Sequence, residues 1–263
     1  MLKKTHKAAA PSADEGVMSL SGHLKELRNR LAVVLVLLVA AFLFCLSNAQ
    51  QLVELFTRMG SQYGYQFVYI SPQELLMQYF SISLTFALVV CVPVIAWQVW
   101  RFVQPGLKKH ENRAFALSLI FGMVFFCVGV AFAYKVSVPF ILYFLIHVGD
   151  GSEISAAISV QSYISVLQTV FLVFGIVFEL PVISVMLTWL GLIRSAWLKA
   201  ARKPAIVLIF LVSAIITPPD IVSQVMVALP MIALFQLGIW LSALCEKSKK
   251  RKASQEDTGE DDE

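Results

Sequence analysis

Charge is what this sequence has least of. Of its 263 residues only 14% are Asp, Glu, Lys or Arg, and 58% are hydrophobic. A water-soluble domain carries about 25% charged residues, so an ordinary soluble fold is excluded. Cysteine is sparse as well. Cys45, Cys91, Cys127 and Cys245 stand singly, a spacing that supports neither a disulfide framework nor a metal site. There is no GxxxxGK[ST] loop, no HExxH and no GxSxG. These absences argue against an ATPase, a metalloprotease or a serine hydrolase, and leave only an enzyme without a recognisable motif. The four histidines are scattered. No internal repeat is visible, and nothing in the composition calls for a cofactor or a nucleic acid.

What is present is a series of long, continuous apolar runs. Barrel strands would be short and alternating, so the expected class is an all-α polytopic membrane protein. Residues 1–18 read as a disordered tail. SLSGHLKELRNRL then places Leu20, Leu24, Leu27 and Leu31 at helical spacing, as in an amphipathic surface helix. The membrane domain is expected over 19–244. Its spans fall near 31–47, 75–103, 114–134 and 163–190, with a shorter pair at 204–218 and 222–244. Between the first two spans lies a loop of some two dozen residues. Pro139 is expected to cut Val136–Val148 into a separate surface segment, and Asp150, Gly151 and Ser152 mark a turn. The fifth run is short of the ~20 residues that cross a ~30 Å core. It is either a short span or one arm of a re-entrant hairpin broken at TPPD, 217–220. Residues 245–263 are expected to form a disordered charged tail.

The scarce charges are placed unevenly. Nineteen of the 21 lysines and arginines fall on one side of this layout, and only Arg58 and Lys135 on the other. The positive-inside rule puts both termini in the cytoplasm. Trp97, Trp100, Trp189, Trp197 and Trp240 lie near the same ends, as an interfacial belt does.

Three acids stand out. Glu26 sits four residues before Arg30, and its plainest role is a helix-surface ion pair. Glu111 lies among Lys108, Lys109 and Arg113, where a solvated loop acid is the plain reading. Together they would form an acidic spot on a basic face, able to select a cationic ligand. Two separate carboxylates suit two guanidinium groups. Glu179 lies within Phe171–Trp189, deep in a span, two residues before Pro181. A carboxylate at that depth is costly and marks a functional position by default. Gln168, Thr169, Thr217 and Gln224 are further polar residues at depth, suited to hydrogen bonds between helices.

HLKELRNRL (23–31), WQVWRFVQPGLKKHENR (97–113), AFAY (131–134), FGIVFELP (174–181) and ITPPD (216–220) followed by Ser223 and Gln224 closely resemble the TatC family, the multi-pass core subunit of the twin-arginine translocase. The motifs occur in order over residues 20–244. The resemblance implies six transmembrane helices around a concave pocket, with the last two short. It implies a signal-peptide receptor in the bacterial inner membrane that exports folded proteins using the proton-motive force. The implied partners are TatA- and TatB-type single-span subunits, paired-arginine signal peptides and membrane lipid, in an oligomeric complex without nucleic acid. Glu26 and Glu111 match the acids that meet the arginine pair, with Arg28 and Phe102 beside them. Glu179 matches an acid facing the pocket. Thr217 and Gln224 match polar residues on the partner-helix side, and Asp220 the acid of PPD; Glu74 is carried over from a more loosely similar loop. The family's HERR stretch is here His110, Glu111, Asn112, Arg113. Two competing readings are a proton-coupled small-molecule transporter with Glu179 as relay, and a scaffold that needs neither Glu26 nor Glu111.

Overall fold

The computed structural model describes residues 20–147, 157–217 and 220–259, with the side chains of 20, 21, 109–111, 145, 157, 250 and 252–259 outside that description. The expected 1–18 tail and the turn at Asp150–Ser152 lie outside the described residues, as do Pro218 and Pro219 of the TPPD stretch.

The chain is built from nine helices among the described residues, α1 (Leu20–Ser47), α2 (Ala49–Ser61), α3 (Pro72–Val103), α4 (Lys109–Phe132), α5 (Val138–His147), α6 (Val160–Trp189), α7 (Ser195–Ala200), α8 (Arg202–Ile216) and α9 (Ile221–Gly259). Five stretches are long and apolar enough to cross a membrane: Gly22–Ser47, Pro72–Gly106, Asn112–Phe144, Val160–Trp189 and Ile221–Lys249. α8 has 15 residues, which at 1.5 Å per residue is about 22 Å, short of a ~30 Å core.

The amphipathic start runs into the first span as one helix, α1, because nothing between Leu20 and Ser47 breaks the ladder. Three features differ from the sequence expectation. The first loop contains α2, whose buried Ala49, Val53, Phe56 and Gly60 recur every three or four residues and lay one face on the bundle. Pro139 does not interrupt the third span. A π-turn over Ala133–Ser137 precedes it, and the Val138 amide bonds five residues back to Ala133. That one-residue slip accommodates a proline, which lacks the usual donor, so α4 runs on into α5. Finally α9 continues to Gly259, through most of the stretch expected to be unstructured.

α6 is the central post, packing on α4, α9, α3 and α2. Glycines set how closely its neighbours approach. A Cβ on Gly129 of α4 would lie 2.6 Å from the Phe174 carbonyl oxygen, and one on Gly175 of α6 would lie 2.7 Å from the Phe126 ring. Small residues that bring helix backbones together are the usual adhesive of apolar bundles, where hydrophobic driving force between helices is weak. Phe174, Ile164, Leu167 and Val170 are accordingly fully buried. Pro181 is tolerated inside α6 because α9 seals that turn, with Gly238 against the Pro181 Cα.

The end opposite the basic one is closed by a small cap. Gln66–Val68 and Ala157–Ser159 form a parallel two-stranded pair. Glu74 pins it, as the capping-box acid of α3: its Oε2 accepts from the Ile70 amide at 2.8 Å and the Ser71 amide at 3.4 Å, while Oε1 accepts from the Ser159 hydroxyl. The Tyr65 hydroxyl donates to the Leu142 carbonyl at 3.0 Å, and burial pushes its pKa up to about 12.

Candidate functional site

At the basic end three termini converge: the start of α1, the end of α3 and the start of α4. Glu26 and Arg30 share one face of α1, one turn apart. The guanidinium grips a single carboxylate oxygen, with Nε 3.0 Å from Oε1 and the second nitrogen also on Oε1. Arg30 is held in turn by Gln98 of α3, its other nitrogen donating to Oε1 at 3.3 Å. The ion pair expected as the plain role of Glu26 is therefore formed. It does not use the whole carboxylate. Glu26 Oε2 is buried and accepts no hydrogen bond among the described residues. His23 Nδ1 is 3.9 Å away, an ion pair only when the ring is protonated.

Phe102 lies across this spot. Its ring stacks on His23, centroids 4.2 Å apart at 20°, so it fixes the first turn of α1 against the last turn of α3. Arg28 is exposed on the other side of α1. Glu111 belongs to the first turn of α4, and its side chain is outside the described residues. Its neighbour Asn112, the departure from the expected arginine, accepts from the Trp100 indole at 2.9 Å. That bond ties the start of α4 to the end of α3. His23, Arg30 and Gln98 join the site only through the fold. His23 carries a signal, three residues before Glu26 on a helix; Gln98 carries none within a single chain.

Glu179 does not join this group. It sits mid-way along α6 facing α4, where Gly122 leaves room for it: a Cβ there would lie 2.6 Å from Glu179 Oε2. Among the described residues no hydrogen bond reaches the carboxylate. Nearer the capped end, Gln168 of α6 accepts from the Ser81 hydroxyl of α3 at 3.1 Å.

Thr217, Asp220 and Gln224 gather where α8 meets α9. The Thr217 hydroxyl donates back to the Ser213 carbonyl at 2.8 Å. Asp220 Oδ1 caps α9 by accepting from the Ser223 amide at 2.6 Å, and its Oδ2 is buried with no hydrogen-bond partner among the described residues. Gln224 Nε2 donates to the Phe210 carbonyl at 3.0 Å, bracing the hairpin. Of these bonds only the one from Gln224 crosses between α8 and α9.

A family model described as Sec-independent protein translocase protein (TatC) matches residues 22–230. The chain belongs to the TatC family. It is 41% identical over 232 residues to the Sec-independent protein translocase protein TatC of Helicobacter pylori strain 26695, covering 88% of this chain and 90% of that one. It is 34% identical to the Aquifex aeolicus TatC over 236 residues, covering 89% and 98%, and 32% identical to TatCd of Bacillus subtilis over 239 residues, covering 91% and 97%. A crystal structure of a twin arginine translocase receptor TatC superposes with a TM-score of 0.77 at 33% identity, covering 85% of this chain and 99% of that one. The resemblance of the ordered motifs is thus borne out at the level of family, and this is a multi-pass membrane protein of the Sec-independent translocase, a transport component rather than an enzyme by the names of its relatives.

Proposed function

We propose that this chain is the receptor subunit that reads paired arginines in signal peptides. The observation that carries this is the divided carboxylate of Glu26. Arg30 occupies one oxygen, and the other is buried and accepts no hydrogen bond among the described residues. An arriving guanidinium that parts the side chains covering it would complete that acceptor without breaking the internal pair, and a buried unpaired acceptor costs about 1–3 kcal/mol until it is filled. Glu111, in the first turn of α4, supplies the second carboxylate. The Trp100–Asn112 bond and the Phe102–His23 stack support a fixed spacing between the two. Arg28 and the surrounding lysines repel a single stray cation and leave the paired acids as the favoured landing place.

The rest of the reading follows from placement. Both termini lie in the cytoplasm of a bacterial cell, and the chain crosses the inner membrane six times, α8 being the short fifth span. Single-span partners of the TatA and TatB kind dock where Glu179 and the α8–α9 hairpin offer polar atoms at depth. Gln224 keeps its Oε1 for that purpose, alongside Thr217 and Asp220. Copies of the complex assemble, and export of folded proteins draws on the proton-motive force.

The test is photocrosslinking from a probe beside Phe102 to a paired-arginine peptide, in membranes. Glu26→Gln and Glu111→Gln should each lower crosslinking at least tenfold, since a charge-assisted hydrogen bond contributes about 1.5–3 kcal/mol. A Lys–Lys peptide should bind weakly to the wild type. Undiminished crosslinking in the double variant, with the protein inserted at wild-type levels, refutes the site.

A further inference from the structure

An apolar groove of about 440 Å³ runs between α4, α6 and α9 at the basic end. We propose that it holds one acyl chain of an anionic phospholipid, with the phosphate taken by Arg113 and Lys249. On α4 the groove is lined by Ala114, Leu117, Phe121 and Phe125. These recur at helical spacing over eleven residues, about 17 Å. One leaflet of hydrocarbon is about 15 Å deep. The groove therefore reaches from the interface to the bilayer midplane, as a single acyl chain does.

The mouth of the groove is cationic. Arg113 lies one turn before Leu117 on the lining stripe and is exposed, and α4 side chains lean toward that end. Lys249 of α9 reaches over from the other side, its Nζ 3.2 Å from the carbonyl oxygen of Trp189, which also lines the groove. The nearest acid on α9 is occupied elsewhere: Glu246 accepts from the Ser195 amide at 3.2 Å and the Ser195 hydroxyl at 2.7 Å. Two cations above an apolar slot, with an indole at the rim, match an anionic headgroup on its tail. The site uses neither Glu26 nor Glu111, so it stands or falls apart from signal-peptide recognition.

The purified full chain in detergent, stripped of lipid, is incubated with phosphatidylglycerol or phosphatidylcholine, and bound lipid is counted by native mass spectrometry. Phosphatidylglycerol should be retained preferentially. The double variant Arg113→Gln, Lys249→Gln should bind it about thirtyfold more weakly, from two cations near the surface, with phosphatidylcholine unaffected. Val185→Trp, filling the groove wall, should reduce retention of both lipids. A Val185→Cys thiol should be shielded from maleimide by phosphatidylglycerol. Equal retention of the two lipids, undiminished binding by the double variant, or a thiol shielded by a signal peptide but not by lipid would each overturn the proposal. The surface variants do not touch the core, so a folding defect in Val185→Trp leaves the charge test intact.

Discussion

Two glycines on α4, seven residues apart, should respond to the same substitution in opposite ways. Alanine in a helix is favoured over glycine by about 1 kcal/mol. At Gly129 the new methyl would meet the Phe174 carbonyl oxygen at 2.6 Å and the Phe178 Cβ at 2.9 Å. Neither atom can move without its helix, so α4 and α6 must part. Overpacking of that kind costs about 1–3 kcal/mol. With backbone as the obstacle the upper end applies, leaving Gly129→Ala about 2 kcal/mol less stable. At some 2–4 °C per kcal/mol for a chain of this size, its Tm should fall by about 4–8 °C. At Gly122 the nearest atom is Glu179 Oε2, also at 2.6 Å, but this is the end of a flexible side chain. A χ rotation relieves the clash and the helix keeps the alanine's advantage. Gly122→Ala should therefore unfold at or slightly above the wild-type temperature. It should still impair export, because the carboxylate has been displaced from its niche. Thermal unfolding of the purified proteins and an export assay in cells check both halves. If Gly122→Ala exports at the wild-type level, the niche has no functional meaning. If both variants lose stability equally, the distinction between side-chain and backbone obstacles is wrong.

Glu74→Ala should cost about 3 kcal/mol, because it removes the cap of α3 and the Ser159 link in one step; Glu74→Gln should recover part of the lost Tm. Glu179→Gln should keep most export if the acid anchors a polar group of a partner helix, whereas Glu179→Leu should weaken partner co-purification more than peptide crosslinking; complete loss in Glu179→Gln would point to titration instead. Tyr65 should give the chain an alkaline weakness. Its hydroxyl holds its proton to about pH 12 when folded, against about 10 in an unfolded chain. Stability from this group is full below pH 10 and falls between pH 10 and 12, as the unfolded state releases the proton first. Tyr65→Phe should lose about 1 kcal/mol at neutral pH through the missing bond to Leu142, and its stability should fall less steeply above pH 10; parallel curves would rule this out.

The membrane helices were legible because their signal is additive. Each apolar residue in a span contributes to the same sum, so α3, α4, α6 and the core of α9 emerge from composition within a few residues. The errors fall where one local interaction outweighs that sum. α2 has too few apolar residues to register in a hydropathy sum, although Leu52, Val53, Phe56 and Met59 fall at helical spacing, and burial of Val53 and Phe56 confirms that face. Pro139 reads as a break because the usual rule counts one missing bond. The π-turn at Ala133–Ser137 absorbs that loss two residues earlier, and no residue type announces it. The extension of α9 reads as a solvated tail, yet Glu246 and Lys249 fasten its first turns to Ser195 and Trp189.

The acids show the same division at the scale of single atoms. A motif can point to Glu26 as a residue, but chemistry is done by oxygens. Spacing alone predicts the Arg30 pair and, taken by itself, argues that Glu26 is spent on its own helix. What reopens the question is that Arg30 is drawn toward Gln98, a residue 68 positions away, and so closes over one oxygen only. A long-range contact decides how much of a short-range pair is left over, and a single sequence does not encode that contact in any local pattern. Gly122 makes the converse point. Nothing near it in the chain is acidic, yet its missing side chain is what lets Glu179 lie against α4. The free capacity of an acid in this protein is therefore set by its neighbours in space: by a competitor that takes less than it could at Glu26, and by an absence that leaves room at Glu179.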